Sequence, residues 1–258
     1  GFKKFCNGET DISDASRPIK ASEAKACSMK KVQYIELPVA YDGLSVLVNP
    51  SNDFATSLTV AELTRIWKHG GAQTWKDVRS EWPDRKIDLY GPGTDSGTFD
   101  YFVEAILPAP NKIRSDFTAS EDDNVLVQGI AGSPDALGFF GYAYYVENQD
   151  KLKAVAIDGG KGPVSPSLET VKGGTYQPLS RPIFIYIGVK AAERPEIQEF
   201  VKFYLKNAGA LVQDVGYIPL PDKAYELALK RFEDRVAGTV FKGAEVGVTV
   251  EDLLSREE

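Results

Sequence analysis

The chain has 258 residues, 43% of them hydrophobic and 26% charged, with Gly 23 and Pro 15, a composition that excludes a fibrous or low-complexity protein. Its net charge is -7 and no basic run is longer than Lys3-Lys4 or Lys30-Lys31, so it lacks the basic stripe of a nucleic-acid binder and no nucleic-acid partner is expected. The longest nearly unbroken apolar stretch, Ala136 to Val146, falls far short of the roughly 20 residues that span a bilayer.

An acidic total does not argue against a small anionic ligand, because a site lined by dipoles can sit within a negative surface. A chain of this length lies where one hydrophobic core tends to split into two. No basic start followed by an apolar run is present, so no signal peptide is expected within it; a mature secreted chain reads the same way. Cys6, Cys27 and the single histidine, His69, are too few and too scattered for a tetrahedral metal site, so neither metal nor cofactor is expected. The cysteines read either as two unrelated buried thiols or as a disulfide closing a loop near the amino end. The disulfide is the preferred reading; it would contribute about 3 kcal/mol and points to an oxidising compartment.

In chain order, strands alternate with amphipathic helices, which predicts an α/β protein with largely parallel sheets. Asp11 to Pro18 is a run of small polar residues ending a strand, and a helix follows over Ser22 to Ser28. Tyr34 to Pro38 and Leu44 to Val48 read as short strands joined by Ala40-Tyr41-Asp42-Gly43. Thr59 to Lys68 reads as a helix, with Thr59 as its cap, Glu62 three residues on, and Val60, Leu63, Ile66 and Trp67 at helical spacing. A strand over Ile87 to Tyr90 leads through a glycine-rich loop to a helix with Phe99, Phe102, Val103 and Ile106 on one face, stopped before Pro108. Val125 to Ala131 reads as a helix, Phe139 to Val146 as a strand, and Asp158 to Pro178 as a long loop. Pro182 to Val189 is a buried strand, and helices follow over Glu196 to Val215 and Ala224 to Ala237. The former carries Ile197, Phe200, Val201, Tyr204, Leu205, Ala208, Leu211 and Val212 in one apolar stripe.

Two segments carry chemistry. Gly91-Pro92-Gly93-Thr94-Asp95-Ser96-Gly97-Thr98 lies between a strand and a helix. Glycines allow close approach of a ligand, the helix start offers unpaired N–H groups, and Ser96 and Thr98 add hydroxyls, so the segment suits an anion. It is neither a P-loop nor a dinucleotide fingerprint, and the plainer reading is a capped helix with a tight turn. In Asp11-Ile12-Ser13-Asp14-Ala15-Ser16-Arg17-Pro18, Arg17 can fork onto two oxygens of an anion, and an aspartate beside it would favour an anion that carries a proton. The plainer reading there is a loop whose arginine and aspartates pair with one another.

These two segments, extended to Ile19 and Phe102, resemble the phosphate-binding proteins of bacterial phosphate ABC transporters, particularly cyanobacterial and related envelope members. Leu179-Ser180-Arg181-Pro182-Ile183-Phe184-Ile185-Tyr186, Val39 to Leu44, Glu62 to Trp67 and Val215 to Pro221 fit the same family, over essentially the whole chain. The resemblance implies a type II periplasmic binding protein fold, two α/β domains joined by two crossover strands near Pro38–Gly43 and Leu179–Ile183. Domain I would hold residues 1–40 and 182–258, and domain II residues 41–181. It implies a solute-binding protein, not an enzyme, that captures inorganic phosphate in the interdomain cleft and delivers it to a membrane-embedded permease. A monomer is expected, in the periplasm or at the cell surface. The family's ligands carry over onto Asp11, accepting from protonated phosphate, and onto Ser96, Gly97 and Thr98; Ser16 and Arg17 are assigned for this subgroup. Phe5-Cys6-Asn7-Gly8-Glu9 and Cys27 also fit, which implies the Cys6–Cys27 disulfide.

This chain departs from the family in having Pro92 and Thr94 where some members carry an arginine, so Arg17 is expected to supply the charge, ahead of Lys4 and Arg181. The family also begins with a strand, a phosphate-binding Ser/Thr loop and a first helix; that part of the expected site is absent from this sequence, which implies either an amino-terminal segment outside it or a truncated form. Two rival functions stand. A secreted serine-type hydrolase would use Asp95-Ser96-Gly97, but the turn lacks the Gly-x-Ser-x-Gly elbow and His69 is the one base on offer. A binding protein for sulfate, molybdate or a phosphonate is nearer, and an Asp11 acceptor does not separate phosphate from arsenate. His69 and Glu121-Asp122-Asp123 read as solvated, and Trp67, Trp75, Trp82 and the aromatics from Phe139 to Tyr145 as packing.

Overall fold

The computed structural model describes residues 1–107, 113–240, 250 and 254. From the amino end these form α1 (Phe2–Cys6), β1 (Ile12–Ala15), α2 (Ala21–Met29), β2 (Tyr34–Val48), β3 (Ser57–Thr59), α3 (Val60–Trp67), α4 (Trp75–Val78), β4 (Asp88–Gly91) and α5 (Gly97–Ile106). There follow β5 (Thr118–Ala119), α6 (Asp123–Gly132), β6 (Ala136–Gly141), α7 (Tyr142–Val146), β7 (Lys153–Ala154), β8 (Ala156–Asp158), β9 (Pro163–Val164) and α8 (Leu168–Lys172). After them come β10 (Ser180–Gly188), a 3-10 turn at Ala191–Glu193, α9 (Pro195–Asp214) and α10 (Asp222–Glu233). Pro108, read above as a helix stop, lies outside the described residues.

The chain divides into two compact units. Unit 1 holds Gly1–Asp42, Lys172–Gly174 and Arg181–Glu258, and unit 2 holds Gly43–Val171 and Thr175–Ser180. Strands β2 and β10 carry the chain from one to the other.

In unit 1 the strand order is β1-β10-β2, with β1 antiparallel to β10. Phe5, Ile35, Leu37, Phe184, Tyr186 and Phe232 are fully buried, and Cys6 and Cys27 form a disulfide that ties α1 to α2. Glu36 is fully buried among them, and its carboxylate accepts bonds from the Tyr186 hydroxyl, Thr239 Oγ1 and the Val240 N–H. Burial of a carboxylate is tolerable only with such partners. The Tyr186 hydroxyl in turn accepts from the Ile19 N–H at 2.9 Å, and burial, reinforced by Glu36, pushes its pKa well up.

Two sequence expectations change here. Residues 34–48 form one unbroken strand in place of two strands and a turn. Asp42-Gly43 stays extended because Tyr41 exchanges both backbone bonds with Ile218, and the buried Asp42 side chain meets Arg181 at 3.1 Å. On α9 the buried residues are Val201, Leu205, Ala208 and Val212, while Phe200 and Leu211 are 48% and 47% exposed. The single apolar stripe of the sequence is thus split between a buried and an open face.

In unit 2 the second half of β2 pairs antiparallel with β6, from Leu44↔Gly141 to Val48↔Leu137, and with β7. Strand β4 runs parallel to both β6 and β5, and a small sheet has the order β3-β8-β9. The sheets are therefore mixed, not largely parallel: β2 runs antiparallel to β6 and β7, and β9 runs antiparallel to β8. The stretch after Phe139 leaves the sheet at Gly141 and turns into α7, and the long segment before Pro178 carries β9 and α8. Helix α3 begins as its sequence predicts: Thr59 Oγ1 accepts from the Glu62 N–H and the Glu62 carboxylate accepts from the Thr59 N–H. The same carboxylate takes the Arg79 fork at 2.6 and 3.0 Å, which holds its pKa down to about 2. Trp67 and Trp75 are fully buried, and Phe102 stacks on Phe139 with ring centroids 3.7 Å apart.

Candidate anion-binding segments

The segment in unit 2 is built almost without charge. Strand β4 ends at Gly91, where an added Cβ would lie 2.8 Å from the Phe139 ring, so only glycine lets the chain turn this close to the core. Gly93 then packs against the Glu121 carboxylate, and the Ser96 N–H closes a turn onto the Gly93 carbonyl at 3.1 Å. Ser96 is the N-cap of α5, its hydroxyl oxygen accepting from the Thr98 N–H at 3.2 Å. Gly97 is exposed and Ser96 and Thr98 are half-buried, so the first turn of α5 reaches the surface of unit 2. Residues 91–100 contain no lysine or arginine, and two aspartates, Asp95 and Asp100. An anion held here is held by the helix end and by hydroxyls.

The helix behind this turn is anchored at several points. Phe99, Phe102, Val103 and Ile106 are buried, as their spacing predicts. Thr64 Oγ1 donates to the Ile106 carbonyl at 2.7 Å, and the Tyr101 hydroxyl donates to the Pro178 carbonyl at 2.8 Å.

The segment in unit 1 is rich in charge, but the structure pairs much of it internally. Strand β1 separates Asp11 at one end from Ser16 and Arg17 at the other, a span of about 16 Å at the usual rise per residue. A single small anion does not reach both. Asp11 is exposed and joins Arg194 through a charge-assisted bond, while its carbonyl accepts from the Gly188 N–H at 2.9 Å. Arg17 places both guanidinium nitrogens on Glu23 at 2.8 Å and lies over the Phe2 ring at 5.2 Å. That fork holds the Glu23 carboxyl below the usual carboxylate range, against the opposing effect of burial. Asp14, one residue from the end of β1 and exposed, sits on the same strand end as Ser16. Its charge is felt by Tyr204 of α9, whose hydroxyl is pushed up first by burial and then by Asp14.

The structure thus gathers Ser96, Gly97 and Thr98 on one turn, and Asp14, Ser16 and Arg17 on one strand end, with Asp11 apart. Sequence reading missed the partners Glu23 and Arg194 and the tether from Tyr101. Glu23 had a local signal, since it stands three residues after Lys20 at the start of α2 and its carboxylate accepts the Lys20 N–H at 2.9 Å. Arg194 and Pro178 had none. His69, the other residue that a hydrolase would need, is exposed in the turn after α3, and Ser96 Oγ is engaged as a helix cap.

Residues 1–208 match the model of the PBP superfamily domain. Protein SphX of Synechocystis sp. is 51% identical over 100% of this chain and 78% of its own length. Phosphate-binding protein PstS of Staphylococcus haemolyticus is 42% identical, over 89% of this chain and 72% of its own length. Among solved structures, a possible phosphate binding protein from Planctomyces limnophilus superposes with a TM-score of 0.87 at 48% identity, covering 92% of this chain and 84% of that one. With two α/β units joined by β2 and β10, the fold is the type II periplasmic binding fold, and the chain belongs to the PBP superfamily, in the family of the phosphate-binding protein PstS.

Proposed function

We propose that this protein captures inorganic phosphate outside the cytoplasm, without chemical turnover, and delivers it to the membrane-embedded permease of an ABC transporter. The observation that carries the reading is the start of α5: a capped helix end with two hydroxyls, no cation in residues 91–100, and carboxylates close by. Such a site tolerates an anion best when the anion itself bears a proton to donate, as hydrogen phosphate does and sulfate does not. The names of the relatives point the same way, and the Cys6–Cys27 disulfide suits an oxidising compartment.

The proposed ligands are Ser96, Gly97 and Thr98, with Ser16 and Asp14 from the end of β1. Asp14 takes the acceptor role that the sequence suggested for Asp11, because Asp11 is tied to Arg194 at the far end of the strand. Arg17 shapes the loop through Glu23 in place of supplying net positive charge. Calorimetric titration with phosphate, then with sulfate at matched ionic strength, tests the reading. Five heavy atoms at a ceiling of about 1.5 kcal/mol each allow an affinity of about micromolar for phosphate, with sulfate weaker. An absence of phosphate binding in both calorimetry and equilibrium dialysis would overturn it.

A further inference from the structure

An anion site on a helix end is only as good as the aim of its N–H groups before the ligand arrives, since any reorientation on binding subtracts from affinity. The apolar face of α5 packs through Phe99, Phe102, Val103 and Ile106, with Phe102 stacked on Phe139, so these contacts hold the helix from one side. Tyr101 lies about 200° round the helix from Phe99, off that face, yet it is only 7% exposed. Its hydroxyl donates to the Pro178 carbonyl at 2.8 Å, three residues beyond Thr98 and one turn behind the proposed phosphate contacts.

The acceptor is itself held. Ser180 Oγ donates to the Tyr176 carbonyl at 2.6 Å, and the Leu44 N–H donates to the Leu179 carbonyl at 2.9 Å. Tyr176 and Leu179 are fully buried. Segment 175–180 is therefore held beside β2, and Tyr101 ties the second turn of α5, one turn behind Ser96-Gly97-Thr98, to it.

We infer that Tyr101 is a positioning residue for phosphate: it does not touch the anion but fixes the orientation of the Ser96-Gly97-Thr98 turn from the side opposite the packed face. The inference rests on the phosphate reading above, and its test separates the two. Tyr101→Phe removes the tether and keeps the ring. Thr64→Val removes the bond to the Ile106 carbonyl at the far end of the same helix and serves as the comparison. Inorganic phosphate is titrated into the full chain of each variant, thermal unfolding is followed without ligand, and the amide resonances of Gly97 and Thr98 are recorded by NMR without phosphate. Tyr101→Phe is expected to weaken phosphate by about three- to tenfold, the range of one lost hydrogen bond, and to shift both amide resonances. Thr64→Val is expected to lower the melting temperature about as much as Tyr101→Phe does, while leaving phosphate affinity within about twofold. Wild-type affinity in Tyr101→Phe, equal weakening in both variants, or unmoved amide resonances would overturn the inference. If the wild-type chain itself takes up no phosphate, the phosphate reading fails, and the amide resonances alone then decide whether Tyr101 aims the turn.

Discussion

The strand-end segment of unit 1 and the helix-start segment of unit 2 solve opposite problems. The first is dense in charge, yet Arg17 is joined to Glu23 and Asp11 to Arg194. The second holds no cation between residues 91 and 100 and presents a capped helix end with exposed Gly97 at its tip. Charge that already has a partner offers little to an anion, because a new contact must first break an old one. Uncharged donors with fixed directions offer more. Under the phosphate reading proposed above, the polar turn ahead of α5 is thus a better guide to the ligands than Arg17.

That contrast can be broken by removing donors from each segment in turn. The largest effect is expected from Ser96→Ala combined with Thr98→Val, which strips both hydroxyls and the cap from α5. Each bond to a charged ligand is worth about 1.5–3 kcal/mol, so phosphate should weaken by about 100-fold or more in calorimetry. A loss of less than tenfold would move the site away from this turn.

A middle-sized effect concerns selectivity. Asp14→Asn replaces an acceptor with a group that can also donate, relieving repulsion of a fully ionised oxygen. Competition titrations should show the phosphate-to-sulfate ratio falling by about tenfold in Asp14→Asn, the order of one charge-assisted bond, and staying constant in Asp11→Asn. The reverse pattern would restore Asp11 as the acceptor.

The smallest effect is expected for Arg17→Ala. Phosphate affinity should change by less than about threefold, because the guanidinium is already bound to Glu23, while stability should drop by about 1 kcal/mol, the scale of a half-exposed ion pair. The pH dependence sharpens the point. Arg17 lowers the Glu23 pKa in the folded chain, so the pair contributes fully above the ordinary carboxylate pKa and its contribution fades as pH falls through the lowered value. Denaturant titrations across that acid range should show a shallower fall in stability for Arg17→Ala than for wild type. A large loss of phosphate binding with unchanged stability would return Arg17 to the ligand set.

Much of the fold was legible because its signals are local. The Thr59–Glu62 capping box, the buried face of α5 and a strand starting near Pro182, observed as Ser180–Gly188, all arise from residues within a few positions of one another. Where reading failed, a distant contact had overridden a local signal. Asp42-Gly43 has the composition of a turn, but pairing with Ile218 and Arg181 keeps it in β2. Tyr142 to Tyr145 has strand composition, but the chain leaves the sheet at Gly141 and coils into α7.

The amino-acid sequence by itself determined the α/β class and the placement of the polar turn between β4 and α5, since helix starts are written in spacing and side-chain hydroxyls. Only the tertiary structure decided which charges are already engaged. Asp11 meets Arg194 from 183 positions away, Arg181 meets Asp42 across 139, and Tyr101 finds Pro178 across 77. Periodicity carries no information at such distances. Those pairings follow from how the strands and helices pack, and they determine whether a polar side chain is left to meet a ligand or is bound to the protein itself.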